Sequence, residues 1–249
     1  MDHKASVRER VWSELRKVAV PDSRFHFDFA EFIADFEGGE AAVARLVAHR
    51  AYQDAEIIFI APDNCIERLR QRALEDGKTV LVTTYSIKRG FWLLEPKRIP
   101  SDLYAQAAML DGMERLGRAV SLADIEMLPS VDYLVTGTGA INREGVRFGK
   151  GHGFFDAEWA MLYTLGRIHR HTPAAAVVHD CQLLDEKLYP DTFDTVVDLI
   201  FTPTRTIEVT DPQKPTCGIL WDRLDPHMYQ TIPPLQELRA SGRTVPAPL

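Results

Sequence analysis

Apolar positions along the chain follow two spacings, one typical of helices and one typical of buried strands. From Lys4 to Val18 they recur at steps of three and four residues, which predicts an amphipathic helix ended by Pro21. Short β-rich runs, such as "AEIIFIAP" and "TVLVTT", are separated by helical patterns such as "CIERLRQRALEDGK". The alternation returns in "VDYLVTG", "FFDAEWAMLYTLGRIH", "AAAVVH" and "VVDLIFTP". Strands that alternate with helices predict a three-layer α/β domain with a mainly parallel sheet.

Two regions depart from this alternation. The stretch "SRFHFDFAEFIADFEGG" carries five phenylalanines, and we interpret it as a loop plugged into the core, with a pocket wall as the alternative. From Thr210 to Leu249 the chain is rich in proline and weakly periodic, which predicts a peripheral wrap or a partly mobile tail. The expected organisation is therefore one domain, residues 1–209, with a C-terminal extension, residues 210–249, that packs on it or trails from it.

Composition restricts the classes of function. The 249 residues include 36 acidic and 29 basic side chains, for a formal net charge of -7, so the chain has no general positive field for nucleic acid or an anionic membrane surface. Its three cysteines, Cys65, Cys181 and Cys217, are too widely spaced to indicate a disulfide framework. The first ten residues contain no apolar leader, and no apolar run is long enough to span a membrane. We therefore expect a cytoplasmic protein that binds neither nucleic acid nor membranes.

One stretch, "GVRFGKGHGFFD" at residues 145–156, combines the residue types that hold phosphate. Gly149, Gly151 and Gly153 let the backbone approach a ligand closely, while Arg147 and Lys150 supply charge. The stretch leads from a predicted strand into a predicted helix, whose first N–H groups favour an anion. It matches neither the Walker A loop nor the dinucleotide fingerprint. On these grounds alone, a phosphate site and a structural glycine turn are equally supported.

Asp156 falls in the first turn of the helix that follows. Its carboxylate can cap the helix, which is the default interpretation, or it can hold Mg²⁺ between itself and bound phosphates. Five other side chains of metal-capable types, His169, His171, His179, Asp180 and Cys181, have no standard ligand spacing. His179 and Asp180 follow a predicted strand and are weaker site candidates than the glycine stretch. No G-x-S-x-G nucleophile elbow is present, which argues against a serine hydrolase.

The glycine stretch resembles the signature G-x-R-L-G-x-G-x-G-Y-Y-D of the 5-formyltetrahydrofolate cyclo-ligase family, also called methenyltetrahydrofolate synthetases. Arg147, Gly149, Gly151, Gly153 and Asp156 coincide with that signature, and Phe148, Phe154 and Phe155 replace the leucine and the two tyrosines. Three further pieces, "KASVR", "LLEP" and "LYPDTFDTVVDLIFTP", resemble family segments in the family's order. The resemblance runs from Lys4 to about Thr204. It implies a fold related to the NagB, RpiA and CoA-transferase group.

The resemblance also implies an activity and its ligands. The family uses ATP and Mg²⁺ to convert 5-formyltetrahydrofolate into 5,10-methenyltetrahydrofolate, with ADP and phosphate as products. Transfer of the γ-phosphoryl group to the formyl oxygen makes that oxygen a leaving group, N10 attacks the formyl carbon, and phosphate leaves as the ring closes. This chemistry needs alignment and neutralisation of charge from the protein. The implied partners are a reduced folate and ATP.

Carried onto this sequence, the family's site assigns residues to each ligand. The implied ATP-binding set is Lys4, Arg8, Arg147, Gly149, Lys150, Gly151, His152, Gly153 and Phe154. Within it, Arg147 and Lys150 are the candidates for a catalytic role, and Asp156 is the candidate Mg²⁺ ligand. The implied substrate-binding set is Asn64, Trp92, Glu95 and Phe155, with Trp92 and Glu95 on the pterin side. Lys4 and Arg8 also fit the solvated face of an amphipathic helix, and one of the adjacent phenylalanines also fits the core.

Three positions depart from the family pattern. His152 replaces a lysine, Ala157 replaces an arginine, and Asn64 stands where the family carries a substrate-binding glutamate. A histidine is mostly neutral near pH 7, and an amide cannot accept a proton as a carboxylate does. With these changes the chain looks more like the divergent branch of methenyltetrahydrofolate synthetase domain-containing proteins. The alternative function is thus a paralogue without cyclo-ligase activity that binds a nucleotide and acts on or senses another small molecule, for example a thiamin-related one.

Overall fold

The structure of the chain is a computed structural model that describes residues 3–246. Its strands are β1 (Ile57–Ile60), β2 (Thr79–Thr83), β3 (Phe91–Leu94), β4 (Arg118–Val120), β5 (Tyr133–Thr136), β6 (Ala140–Asn142), β7 (Arg147–Phe148), β8 (Ala174–Val177), β9 (Leu183–Leu184), β10 (Leu199–Phe201) and β11 (Thr206–Glu208). Its α-helices are α1 (His3–Leu15), α2 (Gly39–Ala48), α3 (Arg50–Asp54), α4 (Glu67–Glu75), α5 (Tyr104–Ala108), α6 (Leu110–Leu116), α7 (Leu122–Glu126), α8 (Phe154–Thr164), α9 (Pro226–Thr231) and α10 (Pro233–Ser241). Within these described residues, no helix is both long and apolar enough to cross a membrane.

Eight strands form one sheet in the order β11-β10-β8-β5-β1-β2-β3-β4. The five central strands, β10, β8, β5, β1 and β2, pair in parallel, and the strands toward the two edges pair antiparallel. Every residue of β1, β5 and β8 is buried, because parallel strands are covered by helices on both faces. The predicted three-layer architecture with a mainly parallel sheet is confirmed.

Several short elements escaped the sequence analysis. An antiparallel hairpin of β6 and β7 leads into the glycine stretch, and in it Ala140 pairs with Phe148 and Ile141 with Arg147. This hairpin joins β9 in a separate three-stranded sheet of order β7-β6-β9. The edge strand β4 was also missed, and Met109 separates the short helices α5 and α6. Strands of two or three residues are too short to show a periodicity.

Residues 210–246 pack against the sheet domain. Ile232 and Leu235 are fully buried and belong to the main hydrophobic core. Upstream of them, the buried Lys214 ammonium lies 2.6 Å from the Asp198 carboxylate. The last part of the predicted extension, residues 247–249, lies outside the described residues. Because these core contacts join the extension to the first 209 residues, the boundary at residue 209 stays a prediction.

Candidate functional site

A cavity of about 390 Å³ opens where the parallel strands end. Residues 61–64 after β1, residues 84–87 after β2 and residues 136–137 at the end of β5 line it. The carboxyl ends of parallel strands meet at one edge of a sheet, and open α/β sheets bind their ligands there. The other walls come from α1, the glycine stretch, α8 and a segment that follows β11. This cavity is the candidate site.

The structure brings most of the predicted site residues together around this cavity. Those that line it are Lys4, Arg8, Asn64, Arg147, Gly149, Lys150, Gly151, His152, Gly153, Phe154, Phe155 and Asp156. They come from α1, from the end of β1 and from the glycine stretch. Residues far apart in the sequence therefore converge on one cavity.

Trp92 and Glu95, which are predicted on the pterin side, do not line the cavity. β3 runs antiparallel to β2, so its carboxyl end points to the opposite edge of the sheet. The Glu95 carboxylate lies 3.3 Å from the guanidinium of Arg98 and 3.5 Å from that of Arg118. The direction of β3 in the sheet therefore places Glu95 away from the cavity.

The glycine stretch adopts a backbone that side chains would disfavour. Gly151 and Gly153 have φ angles of +106° and +71°, in the left-handed region that glycine enters without steric cost. A Cβ atom at Gly151 would lie 3.3 Å from a terminal nitrogen of Arg8, so the loop passes close to α1. Gly153 is the N-cap of α8, and no side chain caps that helix. Its first backbone N–H groups therefore remain available to an anion.

Arg147 and Asp156 form an ion pair beside these glycines. An Nη2 hydrogen of Arg147 is donated to Asp156 Oδ1 across 2.5 Å, and the guanidinium lies 4.5 Å from the ring centre of Phe155. Asp156 Oδ1 also accepts the backbone N–H of Thr195 at 2.8 Å. The default interpretation of Asp156 as a helix cap is wrong. Arg147 Nε is buried and has no hydrogen-bond partner within residues 3–246, and Arg147 is one of the residues that line the cavity.

Asp156 is a single carboxylate and not part of a metal cage. Across the described part of the chain, no three His, Cys, Asp or Glu side chains are placed to hold a metal ion. Mg²⁺ at nucleotide sites takes one or two carboxylates and fills its shell with phosphate oxygens and water. The arrangement therefore fits Mg²⁺ that arrives together with a nucleotide, held through the carboxylate of Asp156.

The two lysines of the predicted ATP site are held by neighbouring groups. The ammonium of Lys4 lies 2.7 Å from a carboxylate oxygen of Asp191 and 2.6 Å from one of Asp194, so Lys4 is not simply a solvated helix residue. Lys150 donates to the carbonyl oxygen of Glu31 at 2.7 Å and lies over the ring of Tyr85, 4.9 Å from its centre. Burial lowers the pKa of Lys150. Both lysines therefore have fixed positions at the cavity.

The sequence did not predict two carboxyl groups that line the cavity, Asp63 and Glu158, and we call the part of the cavity that they form its floor. Asp63 Oδ2 accepts the backbone N–H of Gly137 at 2.8 Å. Glu158, on α8, is 2% exposed and accepts a hydrogen bond from the hydroxyl of Thr83. Burial raises the pKa of Asp63, and it raises the pKa of Glu158 to about 8, so Glu158 is largely protonated at neutral pH. A sequence signal existed, since Glu158 is the one charged residue in the apolar run "AEWAML".

Asn64 connects the cavity to the phenylalanine-rich loop. Its side-chain amide donates to Asp22 Oδ2 at 2.9 Å, and Asp22 also lies 3.2 Å from the guanidinium of Arg24. Phe29 and Phe32 of this loop are buried in a small core of their own. Phe32 also lines the cavity. The loop is therefore plugged into the core, as predicted, and it also supplies part of a pocket wall.

Known proteins resemble this chain in sequence over nearly its whole length. The methenyltetrahydrofolate synthase domain-containing proteins of Mus musculus and Homo sapiens are 34% and 30% identical to it, and each match covers 95% of this chain. The matches cover 63% and 61% of those relatives, so the chain spans less than two thirds of their length. The solved structure of Aquifex aeolicus 5,10-methenyltetrahydrofolate synthetase shares the fold, with a TM-score of 0.51 at 15% identity over 85% of this chain and 95% of that one.

The model of the 5-formyltetrahydrofolate cyclo-ligase family matches residues 1–203. That range contains α1, the carboxyl ends of the parallel strands and the whole glycine stretch. It thus includes every predicted site residue that lines the cavity. The matched length and the gathered signature residues lead to one conclusion: the chain belongs to the 5-formyltetrahydrofolate cyclo-ligase family.

Proposed function

We propose that this chain catalyses the ATP- and Mg²⁺-dependent conversion of 5-formyltetrahydrofolate into 5,10-methenyltetrahydrofolate. The observation that carries the proposal is the convergence on one cavity of the glycine stretch, the unpartnered Nε of Arg147 and the Asp156 carboxylate. Charge on a transferring phosphoryl group requires these types of group at one place. The family membership supports the same reaction class.

The nucleotide occupies the glycine end of the cavity in this proposal. Arg8, Arg147 and Lys150 neutralise its phosphates, and the uncapped N–H groups at the start of α8 add partial positive charge. Lys4 positions the Asp191 and Asp194 segment against α1. Mg²⁺, when bound with the nucleotide, shields the negative charge of the phosphate oxygens. Asp156 is the protein ligand that this arrangement offers it.

The reduced folate occupies the floor of the cavity. Its aminopyrimidine edge presents N–H donors beside a carbonyl acceptor, which a carboxylate and a protonated carboxyl group can bind together. Asp63 and Glu158 supply that combination, because both line the cavity and burial favours the neutral form of Glu158. They compensate for Asn64, whose amide is bonded to Asp22.

The reaction then follows from alignment. The formyl oxygen attacks the γ-phosphorus, the bond to ADP breaks, and Arg147 and Lys150 hold the charge of the transferring group. N10 next attacks the formyl carbon and gives up its proton. The carbon–oxygen bond breaks, and phosphate leaves with the former formyl oxygen as the five-membered ring closes.

A second candidate is a divergent paralogue that binds a nucleotide and a different small molecule without cyclo-ligase turnover. The observation that favours it is the combination of the exposed His152 in place of a permanent cation with the amide of Asn64, which is engaged by Asp22. This candidate keeps the phosphate site and changes the partner of the nucleotide. It predicts ATP binding without formation of a methenylfolate.

The test measures absorbance at the methenylfolate band after 5-formyltetrahydrofolate, Mg²⁺ and ATP are mixed with the protein. Controls are omission of ATP, the variant Arg147→Ala and the variant Arg115→Ala, which removes an exposed arginine that does not line the cavity. The proposal predicts a rise that requires ATP and Arg147 and is unaffected by Arg115→Ala. ATP binding without any rise would reject it in favour of the second candidate.

A further inference from the structure

The segment from Gly218 to Met228, which we call the C-terminal wall, closes one side of the cavity. The match to the family model ends at residue 203, so the family signature does not account for this segment. Its residues that line the cavity are Gly218, Ile219, Leu220, Arg223, Leu224, Asp225 and Met228. Most of them are apolar, and one is a cation. The C-terminal wall therefore adds a surface of distinct chemistry to the site.

The C-terminal wall is held in place on both sides. Before it, Lys214 is ion-paired with Asp198, and the indole N–H of Trp159 donates to the carbonyl oxygen of Pro215 at 2.9 Å. After it, Ile232 is fully buried in the main core. Segments with buried anchors at both ends keep a defined position relative to the sheet. The C-terminal wall is thus part of the built site and does not lie loosely across its entrance.

Close packing also fixes the first residue of the C-terminal wall. Gly218 has a φ of +63°, and a Cβ atom there would lie 2.6 Å from Val245 Cγ2 and 2.8 Å from Thr164 Oγ1. Only glycine fits this approach to α8. The backbone then turns, with the N–H groups of Arg223 and Leu224 donated to one carbonyl oxygen at 3.0 Å. The turn presents Arg223 at the cavity.

Arg223 is an exposed residue at the cavity, and no other group in the described part of the chain pairs with its charge. Within residues 3–246 its side chain takes part in no hydrogen bond or ion pair. The nearest acid along the chain that lines the cavity, Asp225, accepts the N–H of His227 at 2.8 Å as the N-cap of α9. The phosphate end of the cavity has its own cations, Arg8 and Arg147. Arg223 is therefore available to an anionic group of the other ligand.

We infer that Arg223 binds a carboxylate of the folate substrate, while the apolar side chains of the C-terminal wall pack against the ring that precedes it. This inference rests on the proposed function. In 5-formyltetrahydrofolate an apolar benzoyl ring links the pterin to a glutamate with two carboxylates, and the C-terminal wall offers Leu220, Leu224 and Met228 beside one guanidinium. A guanidinium matches a carboxylate in shape and in the direction of its donors. Arg223 is thus a specificity-determining residue.

The experiment measures dissociation constants of the full chain for three probes by titration calorimetry. The probes are 5-formyltetrahydrofolate, the same pterin-benzoyl compound without its glutamate, and ATP with Mg²⁺. Arg223→Ala should weaken binding of 5-formyltetrahydrofolate by about tenfold, the range of a charged hydrogen bond, and leave the other two constants unchanged. Arg223→Lys should recover part of the loss, and Arg115→Ala should change none of the three.

Four results separate the outcomes. Unchanged binding of 5-formyltetrahydrofolate by Arg223→Ala would overturn the inference and leave the proposed function standing. Equal weakening of the compound without glutamate would also overturn it, since the change would then act through the shape of the C-terminal wall. Weakened ATP binding would assign Arg223 to phosphate instead. Failure of the unaltered protein to bind either folate compound would reject the proposed function itself, and with it this assignment.

Discussion

The glycine stretch and the floor of the cavity provide for charge in opposite ways. At the glycine stretch, backbone N–H groups and the permanent cation Arg147 face the space where phosphates are proposed to bind. At the floor, Asp63 and Glu158 are carboxyl groups whose pKa values burial raises. The first site is built from consecutive residues, whereas the second needs β1 and α8 to meet. The residues of the glycine stretch that can bind an anion are therefore visible in one stretch of sequence. The two carboxyl groups that can accept hydrogen bonds from a ligand come together only through the topology of the fold.

The largest effect is expected when the cation of the glycine stretch is removed. Arg147→Ala should abolish ATP-dependent activity and lower the free energy of unfolding by about 3 kcal/mol, because Asp156 loses its partner in a largely buried pair. Asp156→Asn should abolish activity with a smaller loss of stability, since an amide oxygen can still accept the N–H of Thr195. Urea unfolding and the absorbance assay measure the two effects. Unchanged turnover in both variants would remove the glycine stretch from the mechanism.

The next effect concerns Lys150, the second cation of the glycine stretch. Lys150→Ala should reduce kcat by about 100-fold, the loss typical of one donor that stabilises transition-state charge. Its stability should change little, because the partner it leaves is the carbonyl oxygen of Glu31 on an exposed residue. Steady-state kinetics with saturating folate and ATP test this. A rise in KM of about 100-fold with an unchanged kcat would mean that Lys150 binds the ground state and the transition state equally and has no catalytic role.

The protonated state of Glu158, at the floor of the cavity, should make the free energy of unfolding depend on pH. The ordinary pKa of Glu158 is 4.5, and burial raises its pKa to about 8, so the folded state binds more protons than the unfolded state between these values. The contribution of Glu158 to stability is therefore fully present below about pH 4.5 and is lost as the pH rises toward 8.

Glu158→Gln removes this dependence, because the amide does not titrate. The difference in the free energy of unfolding between the original protein and the variant should shift in favour of the variant from pH 5 to pH 8 and then level off. Urea unfolding in the presence of EDTA and without ligands measures it. The charge of Asp63 also raises the pKa of Glu158, so the pH range of the shift belongs to the two carboxyl groups together. Parallel profiles over the whole range would contradict the buried, protonated state of Glu158.

The smallest effect is expected at the exposed tip of the glycine stretch. His152→Lys supplies the permanent cation that the family signature often carries there, and the KM for ATP should fall about two- to fivefold, as for other exposed ion pairs. The gain should shrink as salt is added, since exposed charges are screened. Kinetics at low and high ionic strength check this. An unchanged KM for ATP at low ionic strength would show that residue 152 does not interact with the phosphates.

Sequence patterns predicted the parts of the molecule that local residues determine. The central parallel strands and the glycine stretch with its cations follow from consecutive residues, so both were predictable. The direction of β3 depends on its partner β2, and no periodicity encodes it, so the sequence did not show that Trp92 and Glu95 lie outside the cavity lining. Glu158 was missed because the apolar pattern around it predicts a helix but does not show that its carboxyl group lines a cavity. The C-terminal wall was missed because anchors such as Lys214 act through contacts distant in sequence.

The most direct test of the proposed reaction follows one oxygen atom. 5-Formyltetrahydrofolate labelled with ¹⁸O in its formyl group is converted in the presence of ATP and Mg²⁺, and the released phosphate is analysed by mass spectrometry. If the formyl oxygen is phosphorylated before the ring closes, each phosphate released with the methenyl product carries one ¹⁸O atom. Phosphate without the label, or ATP hydrolysis without methenyl product, would contradict the account.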